Sequence, residues 1–214
     1  MHRPYPVLVP PLVEEAKRLA LDLGFDFRPE GNRAGSASAD PSACLDEVGS
    51  LLRALVAAFP EGRMAEVGTG AGVGTAWMTS SLDADASLVS VELDERLADA
   101  SASLFISHRN VEVVAGDWID VLPTRGSFDL VLFDGGGVDA LAVHNWNVIA
   151  GLVRPGGIML LDDLTPEELW PENLRGTPDL KRELAFRSGL FVSTELLLLP
   201  GIATLLMVRS GASS

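Results

Sequence analysis

Six acidic side chains, each at or just beyond the end of an apolar run, are the residues of this chain best placed to do chemistry: Glu66, Glu92, Asp117, Asp134 and the pair Asp162-Asp163. Glu66 stands two residues before a loop, Gly68-Thr69-Gly70-Ala71-Gly72, whose glycines let the backbone turn tightly and lie against a ligand. The spacing narrows the ligand. A dinucleotide fingerprint needs G-x-G-x-x-G, but Val73 or Thr75 falls where its last glycine belongs. A phosphate-cradling loop needs a lysine, and Lys17 and Lys181 are both remote in sequence. An acid followed by G-x-G-x-G suits a nucleoside ligand without a pyrophosphate. Glu92 follows Gly70 by 22 residues, where a carboxylate can accept hydrogen bonds from both hydroxyls of a ribose. Asp134 closes a nearly all-apolar run, at the point where open α/β sheets bind their ligands; a carboxylate there can face a cationic group or bind a metal.

These acids need a scaffold of alternating strands and helices. Strands are expected over 63–67, 87–92, 111–115, 128–133 and 158–161. Helices are expected over 12–23, 41–59, 72–82, 95–107, 118–122, 138–153 and 178–188, with Asp40-Pro41 as the start of the second. The runs 190–199 and 202–208 flank Pro200-Gly201 and read as an antiparallel hairpin. Five βα units plus that hairpin predict an α/β fold, a doubly wound, mostly parallel sheet of seven strands with one antiparallel strand. Residues 1–40 read as an N-terminal arm, helix and loop, and 41–214 as the ligand-binding domain, the whole being one globular domain.

With 214 residues, 47% of them hydrophobic, the chain can build one well-cored domain. A net charge of −14 argues against nucleic acid or an anionic membrane as the main partner. The single cysteine, Cys44, excludes an internal disulfide and any cysteine-rich metal site. Prolines at 4, 6, 10 and 11 break up the N-terminal apolar run, and no stretch reaches the ~18 apolar residues of a membrane span. A cytoplasmic protein is expected.

Five motifs, in order, resemble those of the class I S-adenosylmethionine-dependent methyltransferases: Glu66-Val-Gly-Thr-Gly-Ala-Gly72, Val91-Glu-Leu-Asp94, Ala115-Gly-Asp-Trp118, Phe128-Asp-Leu-Val-Leu-Phe-Asp134 and Leu152-Val-Arg-Pro-Gly-Gly-Ile-Met-Leu-Leu-Asp162. The helix before the glycine loop, the Asp162-Asp163 pair and the hairpin are similar to the small O-methyltransferases of the catechol/caffeoyl-CoA type. The resemblance covers about residues 41–209. It implies a Rossmann-like methyltransferase fold, S-adenosyl-L-methionine as cofactor, a hydroxyl of a small molecule as methyl acceptor, and a homodimer.

The resemblance also assigns residues. Glu66, Gly68, Thr69, Gly70, Gly72, Glu92, Asp117, Trp118 and Asp134 would hold the cofactor, and Asp134 would also serve catalysis. Glu66 would lie near the methionine moiety, or cap the loop's own amides. Asp117 would take the adenine amine, with Trp118 either stacked on the ring or part of the core. Asp134, Asp162 and Asp163 match the metal ligands of the metal-dependent members, and three carboxylates suit a hard cation such as Mg²⁺ or Ca²⁺. The alternative is that Asp162 and Asp163 only cap the next loop. Trp77 and Trp146 read as packing residues.

The departures lie next to Asp134. Related enzymes carry a lysine base there, whereas this chain has Gly135-Gly-Gly-Val-Asp139, a run that would widen the pocket for a larger acceptor. His144 is the one nearby residue able to act as a base at neutral pH, or else a structural histidine. The stretch 163–178, with Trp170, reads as a lid or an inert connection. Two other readings compete with O-methyl transfer. One is a cofactor-binding homologue without activity; the other, disfavoured by the failed fingerprint and the lack of a Tyr-x-x-x-Lys pair, is a nicotinamide-dependent oxidoreductase.

Overall fold

A computed structural model describes residues 7–27, 42–135 and 146–211. Seven strands form one sheet: β1 (Arg63–Val67), β2 (Ser87–Glu92), β3 (Val111–Ala115), β4 (Phe128–Phe133), β5 (Val153–Leu164), β6 (Phe191–Leu199) and β7 (Ile202–Arg209). Their spatial order is β3-β2-β1-β4-β5-β7-β6. β1 to β5 pair in parallel, and β7 runs antiparallel to both β5 and β6, so it alone is reversed. The chain order turns outward on both sides of β1 and β4. The switch point of the sheet, where ligands bind in such folds, therefore lies between Val67 and Phe133.

The side-chain period of two sorts the strands between two apolar layers. Met64, Leu130, Leu132 and Leu160 face one layer, with helices α1 (Pro11–Asp22), α2 (Asp46–Val56) and α3 (Val73–Thr79). Ala65, Val67, Val131, Phe133, Met159 and Leu161 face the other, with α5 (Trp118–Val121), α6 (Trp146–Gly151) and α7 (Leu180–Arg187). Helix α4 (Glu95–Ala102) lies beside β2 and β3. Val13, Ala16 and Ala20 make the buried stripe of α1, and Val48, Leu52 and Val56 that of α2, each at helical spacing. Lys17 and Asp46, 2.5 Å apart, join the two helices. Gly49 lets α2 sit directly on the indole of Trp77, which is fully buried; a Cβ there would collide with the ring. Trp77 is thus a packing residue, and Trp146 packs partly buried against the other layer.

The expected ends of several elements move. α2 begins at Asp46, not residue 41: Ser42 to Leu45 lie outside any helix, and Ser42 bridges Asp26 in parallel. Asp40 and Pro41 lie outside the described residues. The helix expected over 95–107 ends at Ala102 and tightens into a 3₁₀ turn, Ser103–Phe105. The helix expected over 138–153 is described only from Trp146 and stops at Gly151, and His144 lies outside the described residues. Arg154-Pro155-Gly156-Gly157 is not a turn between elements but an irregularity inside β5, which pairs with β4 at Val153 and again from Ile158. No helix of the described residues is long and apolar enough to cross a membrane.

Candidate functional site

A carboxylate lies within about two residues of the end of each of β1 to β5, and each is held differently. Glu66 shares its sheet face with Met64, so its side chain runs under α3. There it accepts hydrogen bonds from the hydroxyls of Ser90, at 2.5 Å, and Thr75, and all three groups are buried. Burial, with the charge of Glu92 adding to it, raises the Glu66 carboxyl to about 7 although the two hydroxyls pull it down. Gly74 is required at this point, because a Cβ would strike Glu66 Oε1. Glu66 therefore neither caps the loop amides nor stands free.

Glu92 holds the loop amides instead. Its Oε2 accepts from Gly70 N–H at 2.8 Å and its Oε1 from Asp94 N–H at 3.0 Å, which ties the glycine loop to the end of β2. Thr69 is buried and its hydroxyl meets Ser90 at 2.5 Å. Asp117 is exposed and caps α5 by accepting from Ile119 N–H at 3.1 Å. Trp118 is buried, its ring edge-on to Phe133 at 5.2 Å. It packs in the core and still borders the cavity described next.

A cavity of about 460 Å³ opens above the ends of β1, β2, β3 and β4. Glu66, Gly68, Thr69, Gly70, Glu92, Asp117, Trp118 and Asp134 all border it. Gly72 does not. It adopts φ +81° at the start of α3, and a Cβ there would press on Ser101, Leu104 and Phe105, so it serves helix packing. Gly135 also serves packing. It borders the cavity as well, and a Cβ on it would lie 2.8 Å from Gly68 Cα, so this first glycine after Asp134 permits the close crossing of two loops. Gly136 to Asp139 lie outside the described residues. The roof comes from segments that carry no sequence motif: Phe25, Ser42, Ala43 and Cys44. The Asp26–Ser42 bridge holds them together. Cys44 is buried, and burial followed by the charges of Asp162 and Asp134 pushes its thiol well up.

Beside the cavity, Asp134, Asp162 and Asp163 offer ligand atoms that all lie within 4.8 Å of one another. Burial and then the charges of Asp163 and Asp162 hold the Asp134 carboxyl well above its usual range. Burial and Asp163 raise Asp162 to about 7. Asp162 is 4% exposed, and its Oδ1 is a buried oxygen with no hydrogen-bond partner. An orphaned carboxylate oxygen among three clustered acids fits a hard divalent cation. Among the described residues, Lys181 of α7 brings a positive charge to this cluster, and it donates to the carbonyl of Asp162. It belongs to no motif, since it lies 19 residues beyond Asp162.

The stretch after β5 is largely exposed, with Trp170 as its buried anchor. It makes two 3₁₀ turns, Glu167–Leu169 and Glu172–Leu174, around a buried Trp170 whose Nε1 donates to Thr165 O at 2.9 Å.

A family model described as a methyltransferase domain matches residues 65–164. Catechol O-methyltransferase of Mycobacterium tuberculosis (strain ATCC 25618 / H37Rv) is 30% identical over 122 residues, 54% of each chain. The chain spans about half the length of the curated relatives it matches. An O-methyltransferase from Bacillus cereus, solved in complex with SAH, superimposes with a TM-score of 0.70 at 20% identity over 95% of this chain and 93% of that one. TomG of Streptomyces achromogenes, an O-methyltransferase involved in tomaymycin synthesis and solved with SAM, gives 0.68 at 21% identity over 96% and 92%. Residues 65–164 match a methyltransferase domain, and the chain that carries them is built on the Rossmann-like methyltransferase fold.

Proposed function

We propose that the chain transfers a methyl group from S-adenosylmethionine to a hydroxyl oxygen of a small molecule. The observation that carries this reading is the meeting of Gly70, Glu92, Asp117 and Asp134, from successive strand ends, in one cavity. When bound, the cofactor supplies a methyl group on a positively charged sulfur, already activated for transfer.

The chain's own residues bind and align. Each oxygen of Glu92 accepts one backbone N–H and keeps a lone pair for a ribose hydroxyl. Asp117 uses one oxygen on Ile119 and has the other for the adenine amine. Glu66, desolvated beneath the loop, adds negative charge on the methionine side as it ionises. Asp134, which lines the cavity, would face the sulfonium. Asp134, Asp162 and Asp163 would hold a divalent cation, which supplies Lewis acidity that lowers the pKa of the acceptor hydroxyl. Alignment of donor and acceptor by such fixed groups can be worth ~7–11 kcal/mol. S-adenosylmethionine held by Gly70, Glu92, Asp117 and Asp134 would supply the methyl group to the acceptor's hydroxyl oxygen, leaving S-adenosylhomocysteine, with the hydroxyl proton released to solvent.

The same reading includes a cytoplasmic setting, supported by the free, buried Cys44, and an acceptor other than nucleic acid, supported by the charge of −14. It also includes a homodimer, on the family resemblance, to be measured by light scattering. Product analysis with S-adenosylmethionine and a panel of phenols, with and without Mg²⁺, tests the activity. A methylated phenol is expected; cofactor binding without turnover of any hydroxyl compound would leave a binding protein instead.

A further inference from the structure

The carboxylates of Asp162 and Asp163 sit on a bulge. β5 and β7 pair Leu161 with Leu205 and then Leu164 with Ala203, so two residues of β5 face only Thr204. Such an extra residue kinks a strand, re-aims side chains and leaves backbone groups unpaired. Asp163 adopts φ +61°, a conformation costly for a residue other than glycine.

The carbonyls freed around the bulge must find donors, and side chains provide them. Thr204 Oγ1 donates to Leu161 O at 2.9 Å. Lys181 Nζ donates to Asp162 O. Arg182 Nη2 and Trp170 Nε1 donate to Thr165 O at 3.1 and 2.9 Å. Two consecutive cations in the first turn of α7 thus reach back to the exit of β5. Their helix is itself anchored: Asp179 caps it, and Arg182 pairs with Glu195 of β6 at 2.7 Å and lies over the Trp170 ring at 5.4 Å.

We infer that Lys181 is the positioning residue of the acid cluster: by clamping the Asp162 carbonyl it holds the bulge in the shape that turns Asp162 and Asp163 towards Asp134. The inference rests on the reading of that cluster as a cation and acceptor site. Lys181 has a second effect of opposite sign. Its charge repels a bound divalent cation, so a lysine acting only as a charge would weaken metal binding, and a lysine acting as a clamp strengthens it.

The test is calorimetric titration of the full chain with Mg²⁺ in wild type, Lys181→Met and Lys181→Arg, with S-adenosylhomocysteine affinity and melting temperature as controls for folding. Lys181→Met is expected to weaken Mg²⁺ binding about tenfold or more, as loss of a ligand-orienting partner does. Lys181→Arg recovers most of it, and S-adenosylhomocysteine affinity holds in both. Unchanged or tighter Mg²⁺ binding in Lys181→Met overturns the inference. A wild-type chain that takes no Mg²⁺ overturns the metal reading instead, and Lys181 is then judged on turnover of catechol. There Lys181→Met lowers kcat with the KM for S-adenosylmethionine kept and arginine restoring it, and an unaltered kcat overturns the clamp. A wild-type chain showing neither Mg²⁺ binding nor turnover overturns both.

Discussion

A Cβ placed on Gly135 would lie 2.8 Å from Gly68 Cα, so the loop leaving β4 can cross the loop leaving β1 only as glycine against glycine. This crossing sets Asp134 beside the glycine loop, and Asp134 N–H donates to Val67 O at 2.9 Å to fix it there.

Gly135→Ala should therefore separate the two loops. Overpacking of this kind costs about 1–3 kcal/mol, and in a domain of this size each kcal/mol lowers the melting temperature by about 2–4 °C. Thermal unfolding checks the stability. Titration with S-adenosylhomocysteine checks the loop, and an affinity equal to wild type would show that the crossing has no part in the pocket.

Glu66 gives a pH dependence with a definite sign. Its folded pKa, about 7, lies above the ordinary value of 4.5, so the folded chain holds a proton that the unfolded chain releases. That contribution is fully present below about pH 4.5 and is lost as pH rises through 7. Between those values each pH step costs up to ~1.4 kcal/mol. The Glu66→Gln variant keeps an acceptor for Thr75 and Ser90 but no titrating group. Melting temperature measured against pH should fall less steeply from 4.5 to 7 in the variant than in wild type. Parallel curves would contradict this account of Glu66.

A cation entering the acid cluster must displace protons, because Asp134 and Asp162 are both raised, Asp162 to about 7. Mg²⁺ titrations near pH 6.5 in buffers of different ionisation enthalpy should reveal proton release that shrinks as pH rises past 7. Asp162→Ala should abolish Mg²⁺ binding while S-adenosylhomocysteine still binds. Retained Mg²⁺ binding in that variant would place the cation elsewhere.

Much of this architecture is legible in the residues. The bounds of β1, β2 and β4 follow from short, largely apolar runs, the pattern of a strand buried on both faces, and β3, at the sheet edge, is the half-exposed exception. The start of α2 is not legible: Asp40-Pro41 has the chemistry of a helix start, yet Ser42 and Ala43 are tied to Asp26 instead, by a bridge and by Ala43 N–H donating to Asp26 O at 2.9 Å. Proline and two glycines after Arg154 look like a turn, but a strand with neighbours on both sides absorbs them as an irregularity. Along the cavity, the motif acids stand out because their spacing repeats with the strands. Phe25 and Cys44 do not, since tertiary packing alone brings the first helix's exit over the glycine loop. Nor does Lys181, whose meaning depends on a bulge that no local pattern announces.

In the proposed S-adenosylmethionine site, Glu92, tied to Gly70, is the ribose anchor. Calorimetric titration of S-adenosylhomocysteine into wild type and Glu92→Gln tests it most directly. The account predicts saturable one-to-one binding in wild type and a loss of about 10- to 100-fold in the variant, the scale of hydrogen bonds to a charged group. No saturable binding to wild type, or equal affinity in the variant, would contradict it.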